Sequence, residues 1–265
     1  MPSVPQRIDG PVAVIGYVHV QTDKLRQIIA QLARVPYIHL RCIVFIGDLV
    51  DRGPDPAGTI SLFCELAKQH GKVTWVCGNH ELAMAGSLDL FDKPDYIDFS
   101  DRWLNHYDSH TTFESYGVKH KDISGLKEAL PEEHRRLLCD LPWSVEHSDY
   151  LFVHAGLDRN MPFETQVRIL RERDFTLSHP PWLYSKTFII SGPPMDSPVT
   201  IVMGHVPLPQ VEIRNGQIAT DTSGGVGGEL SCVLLPENVV LRSGMSTAQQ
   251  AQPVAQAKKS WWRPW

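Results

Sequence analysis

The chain has 265 residues, of which 42% are hydrophobic and 21% are charged, so it can bury the core of one large domain or two small ones. Acidic residues outnumber basic ones by 30 to 25 and give a net charge of -5, whereas general nucleic-acid binding needs clustered lysine and arginine. We therefore expect no nucleic-acid partner. The longest apolar runs have the length of a strand, so we also expect no membrane span.

The first half of the chain alternates strand and helix patterns. Apolar runs at 12–15, 42–46 and 73–77 predict strands, and the spacing of apolar residues predicts helices over 22–34 and 56–69. Three strand–helix units in succession indicate an α/β fold with parallel strands. A polar cluster follows each strand, at the sheet edge where α/β proteins place their sites.

The middle of the chain has a different composition. Residues 84–140 are rich in Asp, His, Trp and Tyr, and we expect helices and loops there, with one helix near 132–139, forming a cap over the strand ends. Strands are expected again at 150–153 and 199–203. Four further segments are predicted to form an antiparallel set with a hairpin turn at Asn215-Gly216: 210–214, 217–221, 230–235 and 239–242.

The ends of the chain and its cysteines carry little patterning. The N-terminus lacks the apolar stretch of a signal peptide, and the five cysteines are an odd, widely spaced set with no C-x-x-C pair, so we expect reduced, buried thiols and a cytoplasmic location. Residues 1–242 are expected to form a single domain. Residues 243–265 are Ala/Gln-rich and predict a flexible tail, whose Trp-rich end fits either packing on the domain or binding by a partner.

Five strand ends share one type of chemistry. Glycine stands beside carboxylate, amide or imidazole groups in Gly16-Tyr17-Val18-His19, in GDLVDRG at 47–53, in GNHE at 78–81, in His154-Ala155-Gly156 and in Gly204-His205. Such oxygen and nitrogen ligands, without thiolates, suit Mn, Fe or Zn. Two such ions bridged by one carboxylate can clamp a phosphate and activate water. A lone histidine is more often a surface or core residue, so the signal lies in the ordered combination.

These motifs resemble those of the calcineurin-like metallophosphoesterase superfamily and, within it, the phosphoprotein phosphatases. That family's run is GDxHG, GDxVDRG, GNHE and two later histidines, often in HAG and GH, and the resemblance spans about residues 12–235. The resemblance implies a four-layer sandwich of two mixed β-sheets flanked by helices, with the helical cap inserted at about 84–140 of a catalytic domain. In length the chain is closest to the compact bacterial members.

The resemblance also implies roles for individual residues. Two divalent metal ions are expected, with Asp48 as the bridging ligand, His19 on the first ion, and Asn79, His154 and His205 on the second.

His80 matches the histidine that protonates the leaving oxygen, and Asp51 matches the carboxylate that orients it. Arg52 and Asn79 match phosphate-binding residues. Lys186 is the nearest cation where many members carry a second arginine; the alternatives are that it is a surface lysine, or that Arg171 or Arg173 upstream takes this place. Glu81 receives no direct role, and an Asp51–Arg52 salt bridge within the loop is the alternative for that pair.

The first motif departs from the family pattern. Where GDxHG is expected, Tyr17 stands at the position of the aspartate ligand and Val20 replaces the closing glycine. A phenol with a pKa near 10 is a poor substitute for a carboxylate, and a β-branched residue fits a left-handed turn poorly. Three interpretations stay open: a chain that has lost strong activity, a deliberately altered active enzyme, or a Tyr17 phenolate on trivalent iron, as in purple acid phosphatases. The first two predict a weakened first metal site.

The function expected from this resemblance is metal-dependent hydrolysis of phosphomonoesters by direct attack of a metal-bound hydroxide. The substrate would be a phosphorylated protein, on Ser, Thr or Tyr, or a small phosphoester. A nucleotide or diadenosine polyphosphate hydrolase is one alternative, with the aromatic-rich segment 91–116 as a base-stacking pocket. A pseudophosphatase that only binds phosphorylated partners is the other.

Overall fold

Two five-stranded β-sheets form the centre of the protein, as seen in a computed structural model that describes residues 5–16, 18–177, 179–223 and 227–244. The strands in chain order are β1 (Val12–Ile15), β2 (Cys42–Phe45), β3 (Val73–Trp75), β4 (Ser144–Glu146), β5 (Tyr150–Val153), β6 (Thr200–Met203), β7 (Glu212–Arg214), β8 (Gln217–Ala219), β9 (Ser231–Leu235) and β10 (Val239–Arg242).

Both sheets are mixed. The first has the order β10-β9-β1-β2-β3, in which β1, β2 and β3 are parallel and β9 and β10 are antiparallel to their neighbours. The second has the order β4-β5-β6-β8-β7, in which β5, β6 and β8 are parallel and the two edge strands are antiparallel. The predicted α/β sandwich of two mixed sheets is confirmed.

Ten α-helices and one short 3-10 helix, Ile38–Leu40, are found in the described part of the chain. The α-helices are α1 (Thr22–Leu32), α2 (Pro56–His70), α3 (Asn79–Ser87), α4 (Ser100–His106), α5 (His110–Ser115), α6 (Ile123–Ala129), α7 (Glu132–Cys139), α8 (Phe163–Glu172), α9 (Pro181–Tyr184) and α10 (Phe188–Ser191). None combines the length and apolarity that crossing a membrane requires.

The hydrophobic core has two layers because both faces of the strands are buried. Val12 and Val14 of β1 pack in one cluster with residues of the second sheet such as Phe152 and Val202, and this cluster fills the space between the sheets. Ala13 and Ile15, which alternate with them, belong to a second cluster that includes the helices. This is why β1 reads as a continuous apolar run rather than as an alternating one.

Segment 84–140 is helical, as predicted, and it includes α4 to α7. Helix α4 packs against α3, and α5 and α7 pack against α2, so the cap rests on the helices that follow β2 and β3. The domain division predicted at residue 242 stays a prediction, because residues 245–265 of the expected tail lie outside the described residues.

Two sequence predictions are wrong in part. The four C-terminal strands do not form one antiparallel set: β7 and β8 form a hairpin in the second sheet, whereas β9 and β10 extend the first. Pairing of β8 with β6 is parallel, and such a long-range contact cannot be read from local patterns. All five cysteines are unpaired as expected, but Cys139 is exposed and Cys42 is only partly buried.

Candidate metal centre and active site

Five strand ends meet at one place between the two sheets. The first sheet supplies His19 after β1, Asp48 after β2 and Asn79 after β3, and the second supplies His154 after β5 and His205 after β6. Two groups of possible metal ligands result, in each of which the ligand atoms lie within 4.8 Å of one another. One group is His19, Asp48 and His80, and the other is Asp48, His154 and His205.

Asp48 connects the two groups. Its Oδ2 atom lies 3.6 Å from Nε2 of His19 and 3.4 Å from Nε2 of His154. The carboxylate is fully buried, and among the described residues Oδ2 has no hydrogen-bond donor. A buried carboxylate oxygen that faces two imidazoles is the arrangement that a shared positive ion would complete.

The second group has a donor set that fits a metal ion. Nδ1 of His154 donates to the carbonyl oxygen of Ile46 at 2.8 Å, which directs Nε2 into the site. This Nε2 lies 3.1 Å from Oδ1 of Asn79 and 3.1 Å from Nδ1 of His205. Because Nδ1 carries the proton of a neutral His154, its Nε2 and the amide oxygen of Asn79 are both acceptors. Their close approach is therefore stabilised by a positive charge, either a second proton on His154 or a metal ion. The structure thus brings together all four ligands predicted for the second ion.

Electrostatics keep His19, His205 and Asp48 in the protonation states that metals bind. Burial lowers the pKa of His19 well below its usual value, and burial with the neighbouring His154 lowers the pKa of His205 to about 3. Burial opposes ionisation of Asp48, but His154 and His80 outweigh it and hold the pKa of this carboxyl well below its usual range. At neutral pH Asp48 is therefore ionised, and His19 and His205 are neutral. Burial opposes protonation of His154, but the Asp48 carboxylate outweighs it and raises the pKa of His154.

The first group is less complete. His19 and Asp48 lie together as predicted, and His80, predicted as the proton donor, is the third member. Tyr17, predicted to occupy the position of the missing aspartate, lies outside the described residues. Val20 adopts a left-handed backbone with φ of 57°, as the motif mismatch suggested, and it is fully buried. This conformation costs a β-branched residue about 1–2 kcal/mol.

Close approach of the loops depends on two glycines. A Cβ atom on Gly47 would lie 2.6 Å from the backbone nitrogen of Gly78 and 2.9 Å from Nδ1 of His154. The backbone of Gly47 is also left-handed, with φ of +80°. A Cβ atom on Gly78 would lie 2.0 Å from Oδ1 of Asp48. The glycines of GDLVDRG and GNHE are therefore needed for packing as well as for turning.

Glu81 organises the loop that carries Asp48. Its buried carboxylate accepts hydrogen bonds from the backbone N–H groups of Asp48 at 2.9 Å, Gly78 at 2.9 Å and Val50 at 3.2 Å, and from that of Leu49. Burial and the nearby Asp48 carboxylate raise the pKa of Glu81 to about 7. The sequence analysis gave Glu81 no role, and the structure shows that it joins GNHE to GDLVDRG.

His80 and Asp51 form a buried pair. Nδ1 of His80 donates to Oδ2 of Asp51 at 2.8 Å, and Nε2 of His80 has no hydrogen-bond partner among the described residues. Trp103 of the cap donates to the same oxygen through its indole N–H at 3.0 Å. The hydroxyl of Thr112 donates to Oδ1 at 2.5 Å and accepts from the backbone N–H of Asp51 at 3.1 Å. The cap therefore fixes the carboxylate that holds His80.

Comparison with known proteins assigns the family. A family model described as calcineurin-like phosphoesterase matches residues 10–238. The chain is a calcineurin-like phosphoesterase. This confirms the resemblance drawn from the motifs, and the phosphoesterase is accordingly a hydrolase of the phosphatase type.

Relatives of the phosphoesterase have several activities. The asymmetrical bis(5'-nucleosyl)-tetraphosphatase PrpE of Oceanobacillus iheyensis is 24% identical over 250 residues, which cover 85% of this chain and 89% of PrpE. The cold-active protein-tyrosine phosphatase of a psychrophilic Shewanella species has a TM-score of 0.60 at 18% identity and covers 91% of this chain and 80% of its own. A protein serine/threonine phosphatase from Saccharomyces cerevisiae has a TM-score of 0.58 at 16% identity, and the match covers 93% of this chain and 82% of the yeast chain. The two structural likenesses show a shared fold.

Two cations lie at the edge of the site. Arg52 is exposed, has φ of 63°, and is paired with no carboxylate in the described part of the phosphoesterase. The alternative of an Asp51–Arg52 salt bridge is therefore wrong. The pKa of His205 is lowered mainly by burial and by His154, and to a smaller extent by the positive charge of Lys186. This exposed lysine therefore lies near the second group.

Trp103 and Thr112 were not found by sequence reasoning. Both are fully buried and come from α4 and α5, and no motif spacing connects them to Asp51. The available signal was compositional, because the cap is rich in tryptophan and tyrosine. A buried Trp or Thr needs a hydrogen-bond partner, but the sequence does not say where it is.

We expect replacement of Glu81 by Gln to destabilise the phosphoesterase. A glutamine offers one acceptor oxygen instead of two, so at least one of the four buried N–H groups loses its partner, at about 1–3 kcal/mol each. The melting temperature should fall by several degrees, since about 1 kcal/mol corresponds to roughly 2–4 °C for a domain of this size. Thermal unfolding measures this, and the exposed Glu65→Gln on α2 is the control. Equal melting of both variants would contradict the role of Glu81.

We expect Trp103→Phe to reduce the turnover of the folded enzyme. Phenylalanine keeps an aromatic ring against Phe113, whose centroid lies 5.2 Å away, but removes the N–H that donates to Asp51. A hydrogen bond to a charged group contributes about 1.5–3 kcal/mol, so kcat should fall about 10- to 100-fold. Steady-state kinetics would show the fall in kcat with little change in KM. A change confined to KM would mean that Trp103 does not position the Asp51–His80 pair.

Proposed function

We propose that the phosphoesterase is a metal-dependent phosphatase that hydrolyses phosphomonoesters on phosphorylated proteins or small molecules. The observation that carries this is the single buried carboxylate oxygen of Asp48 between two imidazoles, joining two groups of metal ligands. Such a pair of sites can hold two divalent ions next to each other, as phosphate hydrolysis in this family requires.

The residues divide between metal binding and substrate binding. Asp48, Asn79, His154 and His205 would hold one divalent ion, and Asp48 with His19 would hold the other. Ions bound there, Mn, Fe or Zn, would neutralise phosphate charge and activate a water molecule. Arg52 has the planar fork that binds two phosphate oxygens, and no carboxylate among the described residues occupies it.

His80 is suited to donate a proton to the leaving oxygen. Its Nδ1–H donates to Asp51, which fixes the ring, and His80 belongs to the same group of possible ligands as His19 and Asp48. A carboxylate bonded to Nδ1 orients the ring, as required of a group that must direct its other nitrogen at the leaving oxygen. Lys186 would add a point charge on the side of His205.

The first-motif mismatch implies weak activity. With His19 and Asp48 as the remaining ligands of the GDxHG position, the first ion is expected to bind loosely and turnover to be reduced. Two tightly bound ions per chain together with full activity would contradict this. Elemental analysis of dialysed protein, combined with a phosphate-release assay at increasing Mn²⁺, measures both quantities.

The substrate class is tested by comparing substrates in one phosphate-release assay. Phosphopeptides carrying phosphoserine, phosphothreonine or phosphotyrosine, p-nitrophenyl phosphate and diadenosine tetraphosphate are offered at equal concentration with Mn²⁺, and products of the dinucleotide are also separated by chromatography. Preference for the monoesters supports the proposal. Cleavage of the dinucleotide alone would replace it by the second candidate.

That second candidate is a nucleoside polyphosphate hydrolase, and one observation favours it. A cavity of about 280 Å³ is lined by Tyr96, Phe99, Trp143, Phe175 and Tyr184. Two of these belong to segment 91–116, which was predicted to supply a base-stacking pocket. Aromatic walls of this kind can stack a nucleobase. A pseudophosphatase is less well supported, because a module that only binds phosphate has no need of the His80–Asp51 pair.

A further inference from the structure

Arg102 of the cap has an unusual environment. It is exposed on α4, and its guanidinium carbon lies 5.6 Å from the ring centroid of Tyr107 and 4.8 Å from that of Tyr184. Within the described residues no carboxylate or carbonyl binds it, whereas the exposed Arg136 on α7 is paired with Glu132. Two aromatic rings thus hold the cation in place while its hydrogen-bond donors stay free.

The ring of Tyr107 links Arg102 to the active site. Tyr107 is buried and stacks on His80 with a centroid separation of 4.3 Å and an angle of 29° between the ring planes. The neighbouring Trp103 is bound to Asp51, so the turn of α4 that carries Arg102 is fixed relative to the His80–Asp51 pair. Arg102 therefore occupies a defined position and shares with His80 a contact to the Tyr107 ring.

Arg102 belongs to neither group of metal ligands, and its position suits a group attached to the scissile phosphate. The proposed place of the first phosphate is at Arg52 and the metal ligands, and Tyr107 contacts both Arg102 and His80. A guanidinium with free donors binds the oxygens of a phosphate in a bidentate manner. Tyr184, which contacts Arg102, also lines the aromatic cavity of about 280 Å³, and this cavity has room for a part of a substrate larger than a simple monoester.

We propose that Arg102 is a specificity-determining residue that binds a second phosphate, joined to the scissile one through a phosphoanhydride bond. This rests on the proposed function, since it takes the metal centre to hold the first phosphate. It adds organic polyphosphates to the small-molecule substrates of the site, whichever bond is cleaved. None of the sequence motifs includes Arg102, which lies in the cap.

The test compares binding of orthophosphate and pyrophosphate by calorimetry to the full chain with Mn²⁺ at a fixed free concentration. Arg102→Gln should weaken pyrophosphate binding by about 10- to 100-fold and leave orthophosphate binding within about twofold. Because free Mn²⁺ is the same throughout, complexes between metal and pyrophosphate cancel when variants are compared. Arg102→Lys should restore part of the affinity, since the charge returns but the fork does not.

The control is Arg26→Gln on α1, an exposed arginine in a helix of the first half with no recorded ion pair among the described residues. It should bind both ions as the unaltered protein does. If Arg102→Gln weakened the binding of orthophosphate and pyrophosphate equally, or weakened the binding of neither, the assignment of a second phosphate site would be overturned. If the unaltered protein binds neither ion, the proposed function fails and this inference fails with it. If only the pyrophosphate effect is missing, the proposed function stands.

Discussion

Replacement of Asp48 by Asn is expected to reduce phosphate release by at least about 10²- to 10³-fold and to remove most of the bound metal. The Oδ2 atom of Asp48 faces both His19 and His154, at 3.6 and 3.4 Å, so one substitution changes both groups of ligands. Asparagine has nearly the same size, but it lacks the negative charge and places an N–H₂ group on one side. Elemental analysis and the phosphate-release assay measure the two effects.

The matched control is Asp95→Asn, which changes the net charge of the protein by the same amount at an exposed position. It should retain metal and activity. Circular dichroism should show that the Asp48 variant is folded, because the sheets are held by the core between them rather than by this carboxylate. If Asp48→Asn kept both its metal and its activity, the bridging role would be wrong.

Restoring the first motif is expected to have the opposite effect. The double change Tyr17→Asp and Val20→Gly should raise turnover at least about tenfold, because it returns a carboxylate to the position where the family has one; changes around a metal site commonly alter affinity or activity 10- to 100-fold. Metal content of the dialysed protein should rise from about one ion toward two. Steady-state kinetics and elemental analysis follow both quantities.

The single changes separate the two contributions. Val20→Gly relieves a left-handed backbone worth about 1–2 kcal/mol, but it also removes a buried side chain worth about 1.5–3 kcal/mol. Alone it should therefore leave stability unchanged or slightly lower and give no gain in turnover. Val20 also sits against Gly53, where a Cβ atom would lie 2.7 Å from Cβ of Val20, so the turn is crowded on both sides.

Tyr17→Phe distinguishes the remaining interpretation. A phenolate on trivalent iron would be lost in this variant, together with its visible absorption and its activity, whereas a phenol outside the metal shell could be lost without effect. If the double variant gains no turnover while phosphopeptide binding stays unchanged, the protein is a binding module and the proposal of an impaired enzyme is wrong.

The fold and most of the candidate site could be predicted from the sequence because they depend on local patterns. Apolar runs that end in glycine and a polar residue located β1, β2, β3, β5 and β6, and the structure brings His19, Asp48, Asn79, His154 and His205 together at their ends. Parallel strands bring their carboxyl ends to one edge of a sheet, so residues that follow such strands are predicted to lie close together.

What could not be predicted depends on contacts between distant parts of the chain. Trp103 and Thr112 reach Asp51 across more than 50 residues of sequence, and only the docking of the cap shows it. The role of Glu81 depends on four backbone N–H groups, which carry no side-chain signature. The placement of β9 and β10 in the first sheet likewise requires a chain reversal that turn signals do not specify.

The distribution of the proposed ligands over both sheets has a thermodynamic consequence. No fragment of the chain that ends before β6 contains the whole set, so a partly folded chain can bind an ion only weakly. An ion that binds the docked sheets but not the separate halves stabilises the complete fold by RT ln(1 + [L]/Kd), about 2.7 kcal/mol at a hundredfold excess over Kd. The resistance of the protein to unfolding should therefore follow the supply of metal, and removal of metal with a chelator should loosen the junction between the sheets before it loosens either sheet.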